Sequence, residues 1–236
     1  MKNYYDKEGS DMIRYLSEPR EVVIAALSKR LKSQLDAGKK VLWLLSGGSG
    51  IDTCVSVAKS LHSHDVSRLF VTLSDERYGD IGHKDENWQQ LLDAGFSIPD
   101  AHLYRPLKQG LSRHEATEQF KTWLDTTWND VDYRIALLGI GDDGHTSGVK
   151  PNSPAVSAEG SVVDFTGTDF ERITTTIHTL ERLDEAIVQS YGESKHGAIS
   201  RIVRRQGSIK DTPGLVVGRI SSGTFFSDYQ FSKEDI

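Results

Sequence analysis

The strongest candidate for chemistry is the segment at residues 139–146, which reads Gly-Ile-Gly-Asp-Asp-Gly-His-Thr. It places Asp143 and His145 among three glycines, and glycine permits backbone shapes that present neighbouring side chains. An imidazole titrates near neutral pH and a nearby carboxylate can orient it, so this pair suits acid–base catalysis. A lone histidine is more often structural, but this position between glycines favours a catalytic role for His145.

A second glycine-rich segment, residues 46–50, follows an apolar run and precedes a helical pattern. Glycines let backbone N–H groups approach a ligand, and a helix N-terminus adds positive potential, so phosphate is the anion expected there. The candidate ligands are Ser46, Gly47, Gly48 and Ser49. The alternative is a tight turn that binds nothing. The spacing matches neither the P-loop nor the dinucleotide-binding fingerprint.

A third cluster, Asp75-Glu76-Arg77, follows another apolar run, and His83 and Asn87 come after it. If this segment faces a pocket, Arg77 can bind a phosphate or carboxylate through two parallel hydrogen bonds. Taken alone, however, the segment is expected to be an exposed set of loop salt bridges, which contribute little to stability.

The composition narrows the classes of function. The net charge of −6 argues against a nucleic-acid or membrane-surface partner, so an anionic substrate must meet local positive charge. The only cysteine, Cys54, excludes an internal disulfide and fits a reducing compartment. Cys54 lies in an apolar helical segment and is interpreted as a core thiol. No second histidine lies at ligand spacing from His145, so no metal site is expected.

Two further absences in the sequence bear on location. Residues 1–20 carry scattered charges and no apolar run, which argues against a signal peptide. No stretch approaches the roughly 20 apolar residues that a membrane span needs. We therefore expect a cytoplasmic protein.

Apolar runs that alternate with helically spaced segments indicate the strands and helices that position these clusters. Short apolar runs predict buried strands at residues 41–45, 69–73 and 133–138. Further strands are predicted at 173–177, 185–189 and 214–217. Helical spacing indicates helices at 21–37, 51–61, 87–94, 114–128 and 195–205. Residues 151–160 and 218–230 look like loops.

This alternation predicts a single α/β domain over residues 1–236, with an open, mostly parallel β-sheet flanked by helices and right-handed crossovers. Ligands of such sheets bind beyond the carboxyl ends of the strands. Because three strands each end in a polar, glycine-bearing or charged cluster, we expect these clusters to converge on one pocket.

Taken together, the clusters resemble those of the 6-phosphogluconolactonases, within the larger group that includes glucosamine-6-phosphate deaminases. The glycine turn at residues 46–49 fits the family. So do the Asp-Glu-Arg segment with His83 six residues after Arg77, and Asn87 four beyond. The family signature Gly-x-Gly-x-Asp-Gly-His-Thr matches residues 139–146, and a later Gly-x-x-Lys is met by Gly192 and Lys195. These matches run in order from about residue 45 to 195.

The resemblance implies a Rossmann-like fold of the sugar-phosphate isomerase type. It also implies hydrolysis of 6-phospho-D-glucono-1,5-lactone to 6-phosphogluconate, in the pentose phosphate pathway, without metal or cofactor. In this reading His145 is the general base, Asp143 orients it, and residues 46–49 hold the phosphate. The further binding candidates are Arg77, Lys195, His83, Asn87, Asp75 and Thr146. The only partner expected is a phosphorylated sugar lactone, bound by a monomer or small homo-oligomer.

Two details favour a lactonase over a deaminase, since deaminases of this group tend to carry Tyr in place of Arg77 and Ile in place of Thr146. The sequence also departs from the family. Gly50 and Ile51 stand where Thr-Pro is usual, and residues 147–151 replace Ala-Ser-Leu-Phe-Pro, which brings Lys150 near the active loop. The alternatives are a deaminase or isomerase acting on an amino-sugar phosphate, and a non-catalytic sugar-phosphate sensor. Arg172 is a further anion-binding candidate, but a surface charge is its expected role.

Overall fold

The apolar runs that the sequence predicts as strands form the centre of a large sheet. The computed structural model describes residues 4–5 and 12–232 of the 236-residue chain. Its strands are β1 Tyr4–Tyr5, β2 Met12–Ser17, β3 Val41–Leu45, β4 Leu69–Leu73, β5 Asp75–Arg77, β6 His102–Leu103, β7 Tyr133–Gly139, β8 Val162–Thr166, β9 Glu171–Thr175, β10 Glu185–Ser190 and β11 Ser222–Ser227. Its α-helices are α1 Arg20–Asp36, α2 Ile51–Leu61, α3 Asn87–Asp93, α4 Arg113–Asp130, α5 Ile177–Leu180 and α6 His196–Val203.

The large sheet has the order β1-β2-β11-β10-β7-β3-β4-β6, and every pair except β1–β2 is parallel. In the centre, Val41 of β3 pairs with both Tyr133 of β7 and Leu69 of β4, so these three strands run in step. Their carboxyl ends therefore finish side by side. This arrangement confirms the predicted open, mostly parallel sheet, and it places the three polar clusters together.

Helices cover both faces of the large sheet, as continuous apolar strands require. Leu42 and Leu44 of β3 face a core that includes residues of α4 and α6. Val41, Trp43 and Leu45 face the opposite core, which includes residues of α1 and α2. Among the described residues, none of the helices is both long enough and apolar enough to cross a membrane.

Cys54 of α2 belongs to the second of these cores. Its side chain is fully buried, and burial raises the pKa of the thiol to about 12. The interpretation of Cys54 as a core thiol is therefore confirmed.

A small antiparallel sheet with the order β5-β9-β8 lies beyond the carboxyl end of β4. The chain leaves β4 at Leu73, passes Ser74 and enters β5 at once. The carbonyl of Ser74 accepts a hydrogen bond from the N–H of Thr175 at 2.9 Å, which joins this sheet to the large one. The small sheet thus begins beside the converging strand ends.

Several sequence-based expectations for local structure were wrong. The strand expected at residues 214–217 lies in a 3₁₀ helix, Pro213–Arg219, where Pro213 favours a helical first turn. The loop expected at 218–230 contains β11, a buried central strand. Its polar first half, Ser222 to Thr224, concealed it. Strand β2 was not expected, and β5 was expected to be a loop.

The strand predicted at residues 173–177 begins two residues earlier and belongs to the small sheet. An isolated apolar-and-threonine pattern carries no information about which sheet a strand joins. The prediction of one domain over residues 1–236 stays a prediction.

Candidate active site

The carboxyl ends of β3, β4 and β7 open onto a cleft of about 350 Å³. The sequence-predicted site residues that line it are Ser46, Gly47, Gly48, Ser49, Asp75, Arg77, Asn87, His145 and Lys195. Lys150 and Arg172, both noted from the sequence, also line it. The lining residues without any sequence-based expectation include Asp142, Ser147, Asp169, Phe170 and Ser194. Three sequence-distant clusters therefore share one cavity.

The glycine turn leads from β3 through a 3₁₀ turn, Gly48–Gly50, directly into α2. A Cβ at Gly50 would lie 2.6 Å from the Cβ of Ser46, so the tight reversal requires glycine there. This contact accounts for Gly50 in this chain. The first-turn N–H groups of α2 have no acceptor within the helix, which leaves them suited to an anion.

A glutamine from a neighbouring strand fixes the glycine turn. Gln189 of β10 donates from Nε2 to the carbonyl of Ser49 at 3.2 Å. Its Oε1 accepts a hydrogen bond from the Thr53 hydroxyl at 2.9 Å. Gln189 is buried, so the turn is tied to the large sheet independently of any ligand.

His145 and Asp143 form a pair at the end of β7. Oδ1 of Asp143 lies 2.5 Å from Nδ1 of His145 and also accepts the backbone N–H of His145 at 2.9 Å. Because two acceptors would repel at that distance, Nδ1 carries a proton and donates it to Asp143. Nε2 has no hydrogen-bond partner among the residues that the structure describes, and the ring lines the cleft.

Gly141 makes room for this pair. A Cβ at that position would lie 2.2 Å from both Nδ1 and Cε1 of the His145 ring. Since real contacts are never so short, any other residue must displace the imidazole. Gly141 is therefore required for the imidazole of His145 to occupy its observed position.

The carboxyl group of Asp143 is held in its charged form. Its partial burial alone would raise its pKa, but hydrogen bonds from His145 and the charges of His145 and Lys150 together outweigh burial. The pKa of Asp143 lies below its usual range as a result. Asp143 does not line the cleft itself, so it acts on the site through His145.

Four cations line the cleft, and they differ in how far carboxylates neutralise them. Arg172 lies 2.8 Å from Asp169 and 3.5 Å from Asp75. Lys150 lies 3.2 Å from Asp143. Neither Arg77 nor Lys195 has a carboxylate oxygen within 4 Å in the described part of the chain. These two cations are the ones available to an added anion.

Burial and a nearby cation act on Lys195. Both lower its pKa, burial more than the charge of Arg20, while Asp142 and Asp228 oppose the shift. A partly buried ammonium with another cation nearby gains from a bound anion. Lys195 is therefore a suitable ligand for phosphate.

Arg77 and Arg172 lie against a common aromatic ring. The guanidinium carbons are 5.0 Å and 5.5 Å from the ring centre of Phe170. Arg77 also donates to the carbonyl of Asp85 at 3.1 Å. The Nε atom of each arginine is buried without a partner among the described residues. Buried polar atoms are usually hydrogen-bonded, so each Nε is available to a ligand.

Glu76 holds the start of α3, and through it Asn87. Its carboxylate accepts the backbone N–H groups of Arg77, Asn87 and Trp88 at 2.6 to 3.0 Å. Complete burial raises the pKa of Glu76 to about 8, although these three donors oppose the shift. Glu76 is therefore a structural carboxylate, placed below the cleft rather than in it.

Asn87 reaches the cleft from the first turn of α3. Its Nδ2 donates to the carbonyl of Asp75 at 3.1 Å, which fixes the plane of the carboxamide. Its Oδ1 is buried and accepts nothing among the described residues. This atom is an acceptor suited to a ligand hydroxyl.

Two predicted binding residues lie off the cleft. The side chain of Thr146 is fully buried, so it cannot touch a substrate without rearrangement, and its expected binding role is not supported by its position. His83 lies 3.1 Å from the carbonyl of Arg77 through Nε2, which orders the loop that carries Arg77. The expectation that residues 75–77 form an exposed loop is also wrong, because Asp75 and Glu76 are buried.

Arg172 was expected to be a surface charge rather than an anion ligand, and the expected surface position is wrong. Only 4% of the residue is exposed. Its neighbours Asp169 and Phe170, in the β8–β9 turn, gave no sequence signal, because their contribution depends on the small sheet folding over the cleft. No cluster of three or more histidine, cysteine or acidic side chains suited to a metal occurs within residues 4–5 and 12–232.

The chain is similar in sequence to known 6-phosphogluconolactonases. A 6-phosphogluconolactonase of Chlamydia pneumoniae is 25% identical over 168 residues, which cover 69% of this chain and 64% of that protein. One of Synechocystis is 25% identical over 164 residues, covering 64% and 66%. The matched region thus spans just under two thirds of the length of each relative.

The fold has solved counterparts. The crystal structure of 6-phosphogluconolactonase from Thermotoga maritima has a TM-score of 0.78 at 19% identity, covering 91% of this chain and 98% of that chain. This likeness confirms the fold class. The family model described as glucosamine-6-phosphate isomerases/6-phosphogluconolactonase matches residues 18–225, which confirms the resemblance. The chain therefore belongs to the family of glucosamine-6-phosphate isomerases and 6-phosphogluconolactonases.

Proposed function

We propose that this chain is a 6-phosphogluconolactonase, which hydrolyses 6-phospho-D-glucono-1,5-lactone to 6-phosphogluconate. One observation carries the proposal: the His145–Asp143 pair shares a cleft with the glycine turn and with two unneutralised cations, Arg77 and Lys195. A proton acceptor thus lies in the same cavity as a site for a phosphate group.

The phosphate is held by the N–H groups of the glycine turn, by Arg77 and by Lys195. Helix N-termini and arginine side chains are both well suited to phosphate. Asn87 supports a sugar-binding role through its unpaired Oδ1, which accepts a hydrogen bond from a sugar hydroxyl. Asp75 pairs with Arg172 and keeps that guanidinium in place.

The reaction needs no serine or cysteine nucleophile, because a six-membered lactone is an activated ester. Nε2 of His145 accepts a proton as water attacks the lactone carbonyl carbon, and the carbonyl oxygen becomes an oxyanion. The oxyanion collapses, the bond from carbon to the ring oxygen breaks, and the ring oxygen takes the proton from Nε2. Asp143 holds Nδ1–H throughout and stabilises the imidazolium. General acid–base catalysis of this kind accelerates a reaction by roughly 10² to 10⁴-fold.

The proposal includes no metal or cofactor, and His145 supplies the proton transfers alone. The chain acts as one domain, as a monomer or small homo-oligomer in the cytoplasm. The single, buried cysteine supports a reducing compartment.

A stopped assay with freshly generated lactone tests the activity. Because the lactone also opens spontaneously, hydrolysis is compared with a no-enzyme control and with heat-denatured protein. A rate equal to both controls would refute the proposal. Release of ammonia from glucosamine-6-phosphate would favour the deaminase instead, and binding of sugar phosphates without turnover would favour a sensor.

A further inference from the structure

Lys150 reaches the catalytic pair from a tight turn that follows it. The N–H of Val149 donates to the carbonyl of Thr146 at 3.0 Å, and Ser147 adopts a left-handed conformation with φ of 51°. The N–H of Gly148 donates to the hydroxyl of Thr174 in β9 at 3.1 Å. The turn is thus seated on the small sheet, and the chain returns at Lys150 towards the end of β7.

The Lys150 ammonium contacts both members of the pair. Nζ lies 3.2 Å from Oδ2 of Asp143 and 3.3 Å from Nδ1 of His145. It lies 3.8 Å from Oδ2 of Asp169, in the β8–β9 turn. The two oxygens of Asp143 therefore have separate partners, since Oδ1 receives both hydrogen bonds from His145 and Oδ2 receives Lys150.

We propose that Lys150 is a positioning residue for His145, an inference that rests on the proposed lactonase function. A carboxylate with one partner can rotate and offer either oxygen. With Lys150 on Oδ2, Asp143 keeps Oδ1 on the imidazole, and Nε2 stays directed away from the pair. The ammonium is on the Nδ1 side of the ring, so it does not contact the reacting atoms.

Other charges around the ring do not duplicate this role. Asp143 and Asp142 lie on the same loop as His145, while Asp169, Arg172 and Asp75 reach the area from the small sheet and the segment that leads into it. Arg77 and Lys195 line the rest of the cleft. Asp169 is already bonded to Arg172 at 2.8 Å. Lys150 thus lies between Asp169, beside the small sheet, and Asp143 on the loop that carries His145.

The test compares Lys150→Met and Lys150→Arg with the unchanged chain in the lactone assay. The methionine variant removes the ammonium at nearly constant length. We expect its kcat to fall about tenfold at neutral pH, less than the roughly 10²-fold or more expected when the general base itself is removed. Its KM should change less than about twofold. The arginine variant keeps the charge and should recover most of the rate.

Lys29→Met, an exposed lysine on α1 outside the cleft, serves as the matched control for loss of one positive charge. Thermal unfolding is measured for each variant, and the arginine variant decides the matter if the methionine variant is unfolded. An unchanged kcat in Lys150→Met would overturn the inference. So would a large rise in KM at constant kcat, which would make Lys150 a substrate ligand. Absence of lactonase activity in the unchanged chain would refute the proposed function instead.

Discussion

Arg77 and Arg172 face one another as paired residues of the antiparallel strands β5 and β9, and both guanidinium groups lie on the ring of Phe170. Like charges directly opposite in a sheet are destabilising. Asp75 and Asp169 offset the charge of Arg172, but no carboxylate of the described residues lies within 4 Å of Arg77. We therefore expect an incoming phosphate to offset the charge of Arg77, which lowers stability in the free protein.

Replacement of Arg77 should therefore weaken binding of the phosphate. We expect Arg77→Ala to raise KM for the phosphorylated lactone about 10- to 100-fold, as expected for a lost charge-assisted hydrogen bond of about 1.5–3 kcal/mol. KM for unphosphorylated gluconolactone should change little. Steady-state kinetics with both lactones measure the difference. The control is Arg68→Ala, because Arg68 lies at the amino end of β4, away from the cleft. Equal effects of Arg77→Ala on both substrates would contradict the role of Arg77.

Removal of the imidazole should abolish most of the catalysis. We expect His145→Ala to lower kcat by roughly 10²-fold or more, the usual contribution of a general base, with KM nearly unchanged. The control is His178→Ala, an exposed histidine of α5. Near-normal turnover in His145→Ala would rule out this histidine as the base.

A methyl group at Gly141 should act on the same step indirectly. The Cβ would lie 2.2 Å from the His145 ring, so the ring must move and its contact with Asp143 must break. We expect Gly141→Ala to lower kcat at least about tenfold, which is part of the roughly 10² to 10⁴-fold rate contribution of acid–base catalysis. The melting temperature should change little. In Gly218→Ala, a Cβ would meet no atom within 4 Å, so this variant should be fully active. Full activity in Gly141→Ala as well would show that the ring position is unimportant.

The buried carboxyl of Glu76 should make stability depend on pH. Burial raises its pKa from the ordinary 4.5 to about 8 in the folded chain. The folded chain thus keeps this proton longer than the unfolded chain, so the stabilising contribution is full below 4.5 and is lost as pH rises through about 8. We expect the free energy of unfolding to fall with rising pH over this window, and to fall less steeply in Glu76→Gln.

Denaturant unfolding of both proteins at several pH values measures this difference. Glu76→Gln should also be less stable at low pH, by about 1–3 kcal/mol, because one of the three backbone donors loses its acceptor. Parallel pH slopes in the two proteins would contradict the prediction.

The sequence predicts the centre of the fold and of the site well, because both depend on local patterns. Apolar runs without a polar face predicted β3, β4 and β7, and the glycines around Asp143 and His145 marked the end of β7. Strand β11 was missed because its Ser-Gly-Thr start looks like a turn. It is a strand because it pairs in parallel with β10 and β2, which are distant in sequence. Asp169, Phe170 and Arg172 enter the cleft only through pairing of β9 with β5, and that long-range contact leaves no local pattern.

The burial of Cys54 has a practical consequence. Because the one thiol of the chain is inaccessible and resists ionisation, maleimide dyes should leave the native protein unmodified. A cysteine introduced at the exposed Thr168, in the β8–β9 turn, would then be the sole labelling site. A fluorophore there would report, in real time, whether the aromatic wall of the cleft shifts when a sugar phosphate enters.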